Sequence, residues 1–378
     1  MADINRIPVN LKFFRKQKSV TQRQLAQLLN ISPQSVSKWE RGTSIPDVEN
    51  LCRIAEILDV SVDALLAESM AQRLLIGVDG GGTKTEFVLF SEQGYVLKRV
   101  IRGGCNPNTC GLETTLSVLK SGVDELLLSG KTAAAIFVGA AGFTTGNYAS
   151  QISNALHRWY PNTKIHCDTD IRNVIGSAIR QEDCIAAICG TGSVVYVNRS
   201  GELARLGGWG YLLDQGGSGY DIGRDALTTA LAQRDGIGAE SHITQLVEAR
   251  LGDTVWNKIH DIYQGGAACV ASFAPMVFEA YQQGDAKAEE ILMRNAARLA
   301  ELINQAHEMN PAETTVVVAG SVISKSDIYL NLLKSMLHPE LDVVVPERSQ
   351  IFGACVQCCR LVGVSVDDLY ANYKVEEE

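Results

Sequence analysis

No apolar run in this chain approaches the ~18–20 residues needed to span a bilayer. The longest candidate, around residues 133–142, is rich in glycine and alanine and reads as a buried strand. Residues 1–10 carry acidic and polar side chains where a secretion signal needs an apolar centre, so a soluble cytoplasmic protein without a membrane partner is expected. The ten cysteines lack regular spacing, which suits a reducing compartment better than a disulfide framework. Glycine is scarce at first. Before Gly77 the only one is Gly42, and from there on glycines come in clusters. What is present fits a globular chain: 46% apolar and 20% charged residues exclude wholesale disorder, and 378 residues suffice for two or three domains.

Charge divides the chain at nearly the same place as glycine. Net charge is −9, yet residues 1–44 carry eight basic groups against two acids, +6, which leaves −15 for the remainder. A basic head on an acidic body suggests a polyanion-binding module joined to a body that would repel DNA.

The head reads as short helices at about 9–18, 21–30, 33–41, 47–58 and 62–68. Val48, Leu51, Ile54, Ala55 and Leu58 recur at helical period. Thr21, Ser32, Asp47 and Ser61 stand where a side-chain oxygen satisfies free backbone amides at helix starts. In Thr21-Gln22-Arg23-Gln24-Leu25-Ala26 and Val36-Ser37-Lys38-Trp39-Glu40-Arg41-Gly42, Leu25, Ala26, Leu29, Val36 and Trp39 can pack one helix across the next. Gln34, Ser35, Ser37 and Lys38 then face outward, able to reach base edges or phosphates from the major groove. Over about residues 8–67 the chain resembles the Cro/phage-repressor helix-turn-helix family. The resemblance implies an operator-DNA partner, with Gln22, Gln34, Ser35, Ser37, Lys38 and Arg41 as contacts. One head binds weakly, so a homodimer on a two-fold operator is expected.

The body opens with strands at about 74–78, 86–90 and 96–102, then helix, strand and helix at 112–128, 133–138 and 148–160. A related pattern returns after Cys184. Residues 87–98 and 194–205 share apolar positions and a turn glycine, Gly94 and Gly201, so two related α/β subdomains are expected. Between the first two strands stands Asp79-Gly80-Gly81-Gly82-Thr83-Lys84. Glycines let backbone amides approach phosphate oxygens, and an Asp at a strand end can hold Mg²⁺ through water. A strand follows this turn, so it is neither a Walker A loop nor a dinucleotide fingerprint. Cys189-Gly190-Thr191-Gly192-Ser193 repeats the arrangement, and Ala319-Gly320-Ser321-Val322 gives a third strand-to-glycine turn suited to a flat nucleoside.

This ordered set resembles the actin/hexokinase/heat-shock ATPase superfamily, and within it the N-acetylglucosamine kinases and BadF/BcrA-type ATPases, over about residues 74–364. Gly208-Trp209-Gly210-Tyr211 with Asp214-Gln215-Gly216-Gly217-Ser218, Gly223-Arg224-Asp225-Ala226, Gly104-Cys105-Asn106, and Lys325-Ser326 after the third turn sharpen the likeness. It implies an all-α helix-turn-helix head (1–70) followed by a two-lobed ribonuclease-H-like α/β body. The lobes would be 74–182 and 183–366, with a closing helix at 350–364 packing on the first.

ATP and Mg²⁺ are the implied cofactors, and an amino sugar is the implied ligand. Asp79 would be the metal-side carboxylate. Gly80, Gly81, Gly82, Thr83, Lys84, Gly190, Thr191, Gly192 and Ser193 would hold phosphates, with Gly320 and Ser321 at the adenosine. Asn106, Asp170, Trp209 and Asp214 would meet the sugar. Phosphoryl transfer needs a carboxylate to take the hydroxyl proton, and Asp170 fits that role; its bland alternative is an N-cap of the following helix. Where vertebrate-type N-acetylglucosamine kinases have an Asp after the glycines of the 138–142 segment, this chain has Phe143.

Three roles follow: an amino-sugar-responsive transcriptional regulator, an amino-sugar kinase with a secondary head, or a BadF-type ATPase activating a partner. The last calls for cluster-binding cysteines, and Cys105 and Cys110 are the one loosely suitable pair. Cys355, Cys358 and Cys359 read as the apolar face of the closing helix rather than as a metal site. His166 reads as a strand-end residue near the cleft, and the tail 375–378 as solvated.

Overall fold

A computed structural model describes residues 7–18, 20–66, 73–127, 132–214 and 216–373. The segment between head and body, Arg73 apart, lies outside these residues, as do Gln215, the tail at 375–378 and the last residues of the helices expected at 62–68 and 112–128.

The head consists of α1 (Ile7–Gln17), α2 (Gln22–Leu29), α3 (Pro33–Glu40), α4 (Val48–Leu58) and α5 (Val62–Leu66). Local chemistry sets their ends. Thr21 and Gln24 form a reciprocal capping box at the start of α2, and the Ser32 and Asp47 side chains cap α3 and α4. Asn30 and Asp59 close α2 and α4 in the left-handed conformation, at φ 59° and 52°. Leu25, Ala26, Leu29, Val36, Trp39, Leu51, Ile54, Ala55 and Leu58 share one buried cluster. Val48 does not join it. It is the first residue of α4 and 77% exposed, so the apolar stripe meets the bundle only from Leu51. Arg15, counted in the basic excess, is buried against Glu40 (Nε–Oε1 2.5 Å, Nη2–Oε2 2.9 Å) and ties α1 to α3.

The first sheet comprises β1 (Leu74–Gly80), β2 (Lys84–Ser91), β3 (Val96–Gly103), β4 (Ala135–Ala140) and β5 (Lys164–Asp168), in the order β3-β2-β1-β4-β5. Strand β4 is the apolar stretch noted in the sequence, and every residue of it is buried. Between the strands lie α6 (Pro107–Cys110), α7 (Leu112–Leu126) and α8 (Tyr148–Trp159), and after β5 comes α9 (Ile171–Ala178). The second sheet comprises β6 (Cys184–Cys189), β7 (Ser193–Arg199), β8 (Glu202–Leu206), β9 (Thr315–Ala319) and β10 (Asp342–Val344), in the order β10-β9-β6-β7-β8.

The two sheets are topological copies. Each has three antiparallel strands followed by two that run parallel to the first. Gly94 and Gly201, the turn glycines of the sequence repeat, both take φ 84° at the corresponding hairpins.

Helices α10 (Gly219–Arg234), α11 (His242–Leu251), α12 (Ile259–Ala271), α13 (Ala274–Gln282) and α14 (Ala286–Met309) separate β8 from β9; α15 (Ser321–Ser324) and α16 (Asp327–Met336) separate β9 from β10. Helix α17 (Gln350–Val362) returns to the first sheet, where Cys355, Cys358 and Cys359 are buried with Leu75, Phe90 and Phe137; α18 (Val366–Asn372) follows. Its approach is close. A Cβ on Gly353 would stand 1.8 Å from Asn173 O, and one on Gly77 2.8 Å from Cys355 N. The head meets the body where the Phe13 and Tyr95 rings touch edge-on at 5.3 Å and Lys12 Nζ donates to Leu97 O at 3.4 Å. Among the described residues no helix is long and apolar enough to cross a membrane.

Candidate active site and DNA-facing helix

Strand β1 carries Asp79 to the mouth of the first glycine turn. That turn is closed by the Gly81 amide donating to Lys84 O at 2.9 Å, and pinned from behind by the Cys105 amide donating to Gly81 O at 3.0 Å. A side chain at Gly104 would collide with Gly82 O at 2.1 Å, so the backbone there approaches as closely as glycine allows. Gly82, Thr83 and Lys84 are exposed, and Lys84 Nζ rests 3.7 Å from Glu86 Oε2.

Asp79 itself is held. Asn173 Nδ2 donates to its Oδ1 at 2.7 Å and to Gly139 O at 3.0 Å. Burial lifts the Asp79 carboxyl to about 6; the Asn173 hydrogen bond pulls it down, Asp170 and Glu86 push it further up, and Lys84 opposes them. A largely buried carboxylate that feels two other acidic charges offers hard oxygen. This fits Mg²⁺ and its phosphates.

Asp170 lies two residues past the end of β5, at the N-cap position of α9, but its side chain makes no capping hydrogen bond. Its carboxylate still draws on the Asp170 and Ile171 amides at the helix start, so the helix-start role stands beside the proton-acceptor one. Burial raises its pKa, against a hydrogen bond from Thr169 Oγ1 (2.9 Å) and nearby amides. Across the lobes, the Tyr196 side chain on β7 bonds Thr169 and Thr144 and feels the charges of both Asp170 and Arg205. The Arg205 guanidinium lies 4.6 Å from the Trp209 ring. Trp209 is 65% exposed, and Asp214 Oδ2 accepts from the Gly210 amide at 3.0 Å, shaping that loop.

Asn106 caps α6, its Oδ1 accepting from the Asn108 amide at 3.0 Å, and it lies directly beside Gly142. The neighbouring Phe143 is buried in the first core and offers nothing to the cleft. Cys105 is fully buried, its thiol pushed up to about 11, and Cys110 Sγ donates to Asn106 O at 3.2 Å. His166 is an exposed residue inside β5, stacked on Phe137, rather than at a strand end near the cleft.

The second glycine turn sits at the matching place on the second sheet. Gly219 and Tyr220 at the start of α10 donate to Gly190 O and Thr191 O at 2.8 and 3.0 Å. Thr191 and Gly192 are exposed, whereas Ser193 is buried and its hydroxyl points to Gly216 O at 3.4 Å. Gly320, at φ 108°, packs onto Cys189 O, which brings the third turn beside the second. Together they open a cavity of about 700 Å³ lined by Gly190, Thr191, Ser321, Lys325, Phe278 and Gln282, among others. Gly223-Arg224-Asp225-Ala226 braces the loop before it: Asp225 accepts from Asn295 Nδ2 (3.0 Å), whose Oδ1 accepts from the Gly217 amide (3.1 Å).

Sequence reasoning did not assign Asn173 or the α12–α13 wall of this cavity. Asn173 stands three residues after Asp170, and nothing in that spacing tells which carboxylate it reaches. The wall is ordinary helix in the sequence.

In the head, Gln34, Lys38 and Arg41 are exposed, and Ser35 and Ser37 partly so. Gln22 is turned inward, its Nε2 donating to Glu40 Oε2 at 2.7 Å, and Ser35 Oγ pairs with Ser32 Oγ at 2.9 Å.

The chain matches the family model described as BadF/BadG/BcrA/BcrD ATPase family over residues 76–355, and a helix-turn-helix model over residues 11–65. The N-acetylmuramic acid/N-acetylglucosamine kinase of Clostridium acetobutylicum is 28% identical over 302 residues, 75% of this chain and 97% of that one. An uncharacterised helix-turn-helix transcriptional regulator of Bacillus subtilis, YqaE, is 46% identical over 57 residues, 15% of this chain and 49% of that one. The structure of a candidate N-acetylglucosamine kinase of Chromobacterium violaceum superposes with TM-score 0.59 at 23% identity, over 78% of this chain and 99% of that one, a likeness of fold.

Proposed function

This chain belongs to the BadF/BadG/BcrA/BcrD ATPase family and carries a helix-turn-helix head, and on that footing we propose that it is an amino-sugar-responsive transcriptional regulator, cytoplasmic and dimeric. Its parts are the head (1–70) and two lobes (74–182 and 183–366) that bind Mg-ATP and an amino sugar. The observation that carries this reading is the cavity between the second and third glycine turns, on the same chain as an exposed Gln34–Lys38 helix face. The named kinase relatives support the choice of sugar.

Bound Mg-ATP supplies the transferable phosphoryl group and the cation that neutralises its charge. Asp79 would hold the metal side, the two glycine turns would meet phosphate through amides other than those of Gly81 and Gly190, which close the turns onto Lys84 O and Gly192 O, and Ser321 would meet the nucleoside. Asn106, with Oδ1 already capping α6, offers its amide N–H to a sugar hydroxyl. Asp170 accepts the proton of the hydroxyl that attacks. Lobe closure over these ligands reaches the head through the Phe13–Tyr95 contact, and operator and sugar must then change each other's affinity by the same factor.

A second reading, a sensor that binds the sugar without turning it over, is favoured by one observation. Phe143 is buried where vertebrate-type kinases place a carboxylate. A coupled assay of ADP release across a panel of sugars, run beside sugar-dependent operator binding by the full chain, tests both. Rapid phosphorylation with operator affinity indifferent to sugar would refute the regulator.

A further inference from the structure

Far from the nucleotide cavity, at the opposite end of β9 from Gly320, two imidazoles and a carboxylate converge. His307, in the last turn of α14, is buried, and its Nδ1 lies 2.9 Å from Glu313 O. A carbonyl can only accept, so in the neutral ring Nδ1 carries the proton and Nε2 keeps its lone pair. This is the orientation that backbone carbonyls impose on metal-binding histidines. His338 lies tilted beside it, ring centroids 5.2 Å apart, and Glu340 completes the group. One ligand atom from each residue lies within 4.8 Å of those of the other two.

The second segment is built to present its pair. His338-Pro339-Glu340-Leu341 is a turn closed by the Leu341 amide donating to His338 O at 3.0 Å, with proline at the position whose φ it fixes. Asn304 on α14 clamps this turn at both sides. Its Nδ2 donates to Met336 O at 3.1 Å and its Oδ1 accepts from the His338 amide at 2.9 Å. The His338 side chain is therefore held against α14 through its backbone. Glu340's amide reaches His338 Nδ1 only at 3.5 Å, a contact weak enough to give way.

We infer that His307, His338 and Glu340 form a binding site for a borderline-soft divalent transition cation, with Zn²⁺ as its natural probe. Two imidazoles and one carboxylate suit Zn²⁺, Co²⁺ or Ni²⁺ better than Mg²⁺ or Ca²⁺, which prefer all-oxygen shells. Tetrahedral bonds of ~2.0–2.2 Å call for a shift of roughly an ångström, which the two exposed side chains are free to make. A bound cation cross-links the end of α14 to the segment joining α16 and β10. This site is independent of the reading of the kinase-like cleft.

The test uses tag-free full-length protein, stripped with chelator and titrated with Zn²⁺ by calorimetry, with metal content measured afterwards. A single saturable equivalent is expected, along with a rise in melting temperature. His338→Ala and Glu340→Ala, both at exposed positions that leave the core intact, are each expected to weaken this binding about tenfold or more and to abolish the rise. Substituted Co²⁺ is expected to show a nitrogen/oxygen spectrum without thiolate charge transfer, which separates the site from the exposed Cys52. Absence of saturable binding in the wild type, equal binding in His338→Ala, or a thiolate spectrum overturns the assignment.

Discussion

The side-chain amide of Asn173 bridges Asp79 Oδ1 and Gly139 O, at 2.7 and 3.0 Å. One nitrogen with two hydrogens thus fastens α9 to the ends of β1 and β4, and the same helix carries Asp170 at its start. The spacing between the proposed metal-side carboxylate and the proposed base is therefore set by a residue that does neither job.

Asn173→Ala is expected to leave Gly139 O without a partner and Asp79 without its orienting donor. A hydrogen bond to a charged group is worth about 1.5–3 kcal/mol, and a loss of that order should appear in urea unfolding. Mg-ATP affinity should fall in parallel by calorimetry. If stability falls and affinity does not, Asn173 is structural only.

Asp79→Asn is expected to keep the fold, since the residue stands at the mouth of a turn and the amide can still pair with Asn173. Far-UV circular dichroism and the melting curve should match the wild type, while Mg²⁺-dependent nucleotide binding is lost. Thr191→Val should weaken the same binding through the second turn. Unchanged Mg-ATP affinity and turnover would remove either residue from the site.

Asp170→Asn keeps the shape of the side chain and removes its capacity to accept a proton. Any sugar phosphorylation should drop by about 10²–10⁴, with sugar binding and sugar-dependent operator release retained. Loss of operator response in this variant would argue that turnover, not binding, is what the head senses.

Glu40→Ala in the head is expected to be severe. It strands the buried Arg15 guanidinium and frees Gln22, and breaking such a pair costs about 3–5 kcal/mol. Gln34→Ala, by contrast, should fold normally and relax sequence choice at one base pair by about 1–3 kcal/mol. Salt-dependent binding curves on a selected operator, with a melting curve for each variant, separate the two effects.

Asp285 gives a pH test. Burial pushes its carboxyl up, but hydrogen bonds from the Ala288, His242 and Lys287 amides and from Ser241 Oγ outweigh that and hold it below the usual range. A depressed folded-state pKa contributes stability above the unfolded value of about 3.9 and loses it as pH falls through the folded one. Asp285→Ala should therefore cost about 0.5–2 kcal/mol at pH 7, with the gap to wild type closing at strongly acidic pH. Urea midpoints across that range check the sign.

Much of this molecule was legible in one dimension. Thr21, Ser32 and Asp47 mark helix starts because a cap acts on amides two or three residues away, and Leu25 to Trp39 betray the helix pair by period alone. Three glycine turns and a repeated hairpin announce two copies of one sheet, since φ 84° at Gly94 and Gly201 is a local demand that glycine meets. What only the tertiary structure decided is which groups meet across distance. Asn173 finds Asp79 because α9, packed on α17 and the second sheet, reaches the ends of the parallel strands β1 and β4. Ser193 turns its hydroxyl to Gly216 O, Arg15 is withdrawn from solvent by Glu40, and His307 meets His338 through a turn that Asn304 clamps. Each depends on side chains far apart in sequence brought within 3–5 Å by packing, and periodicity carries no information about such pairings.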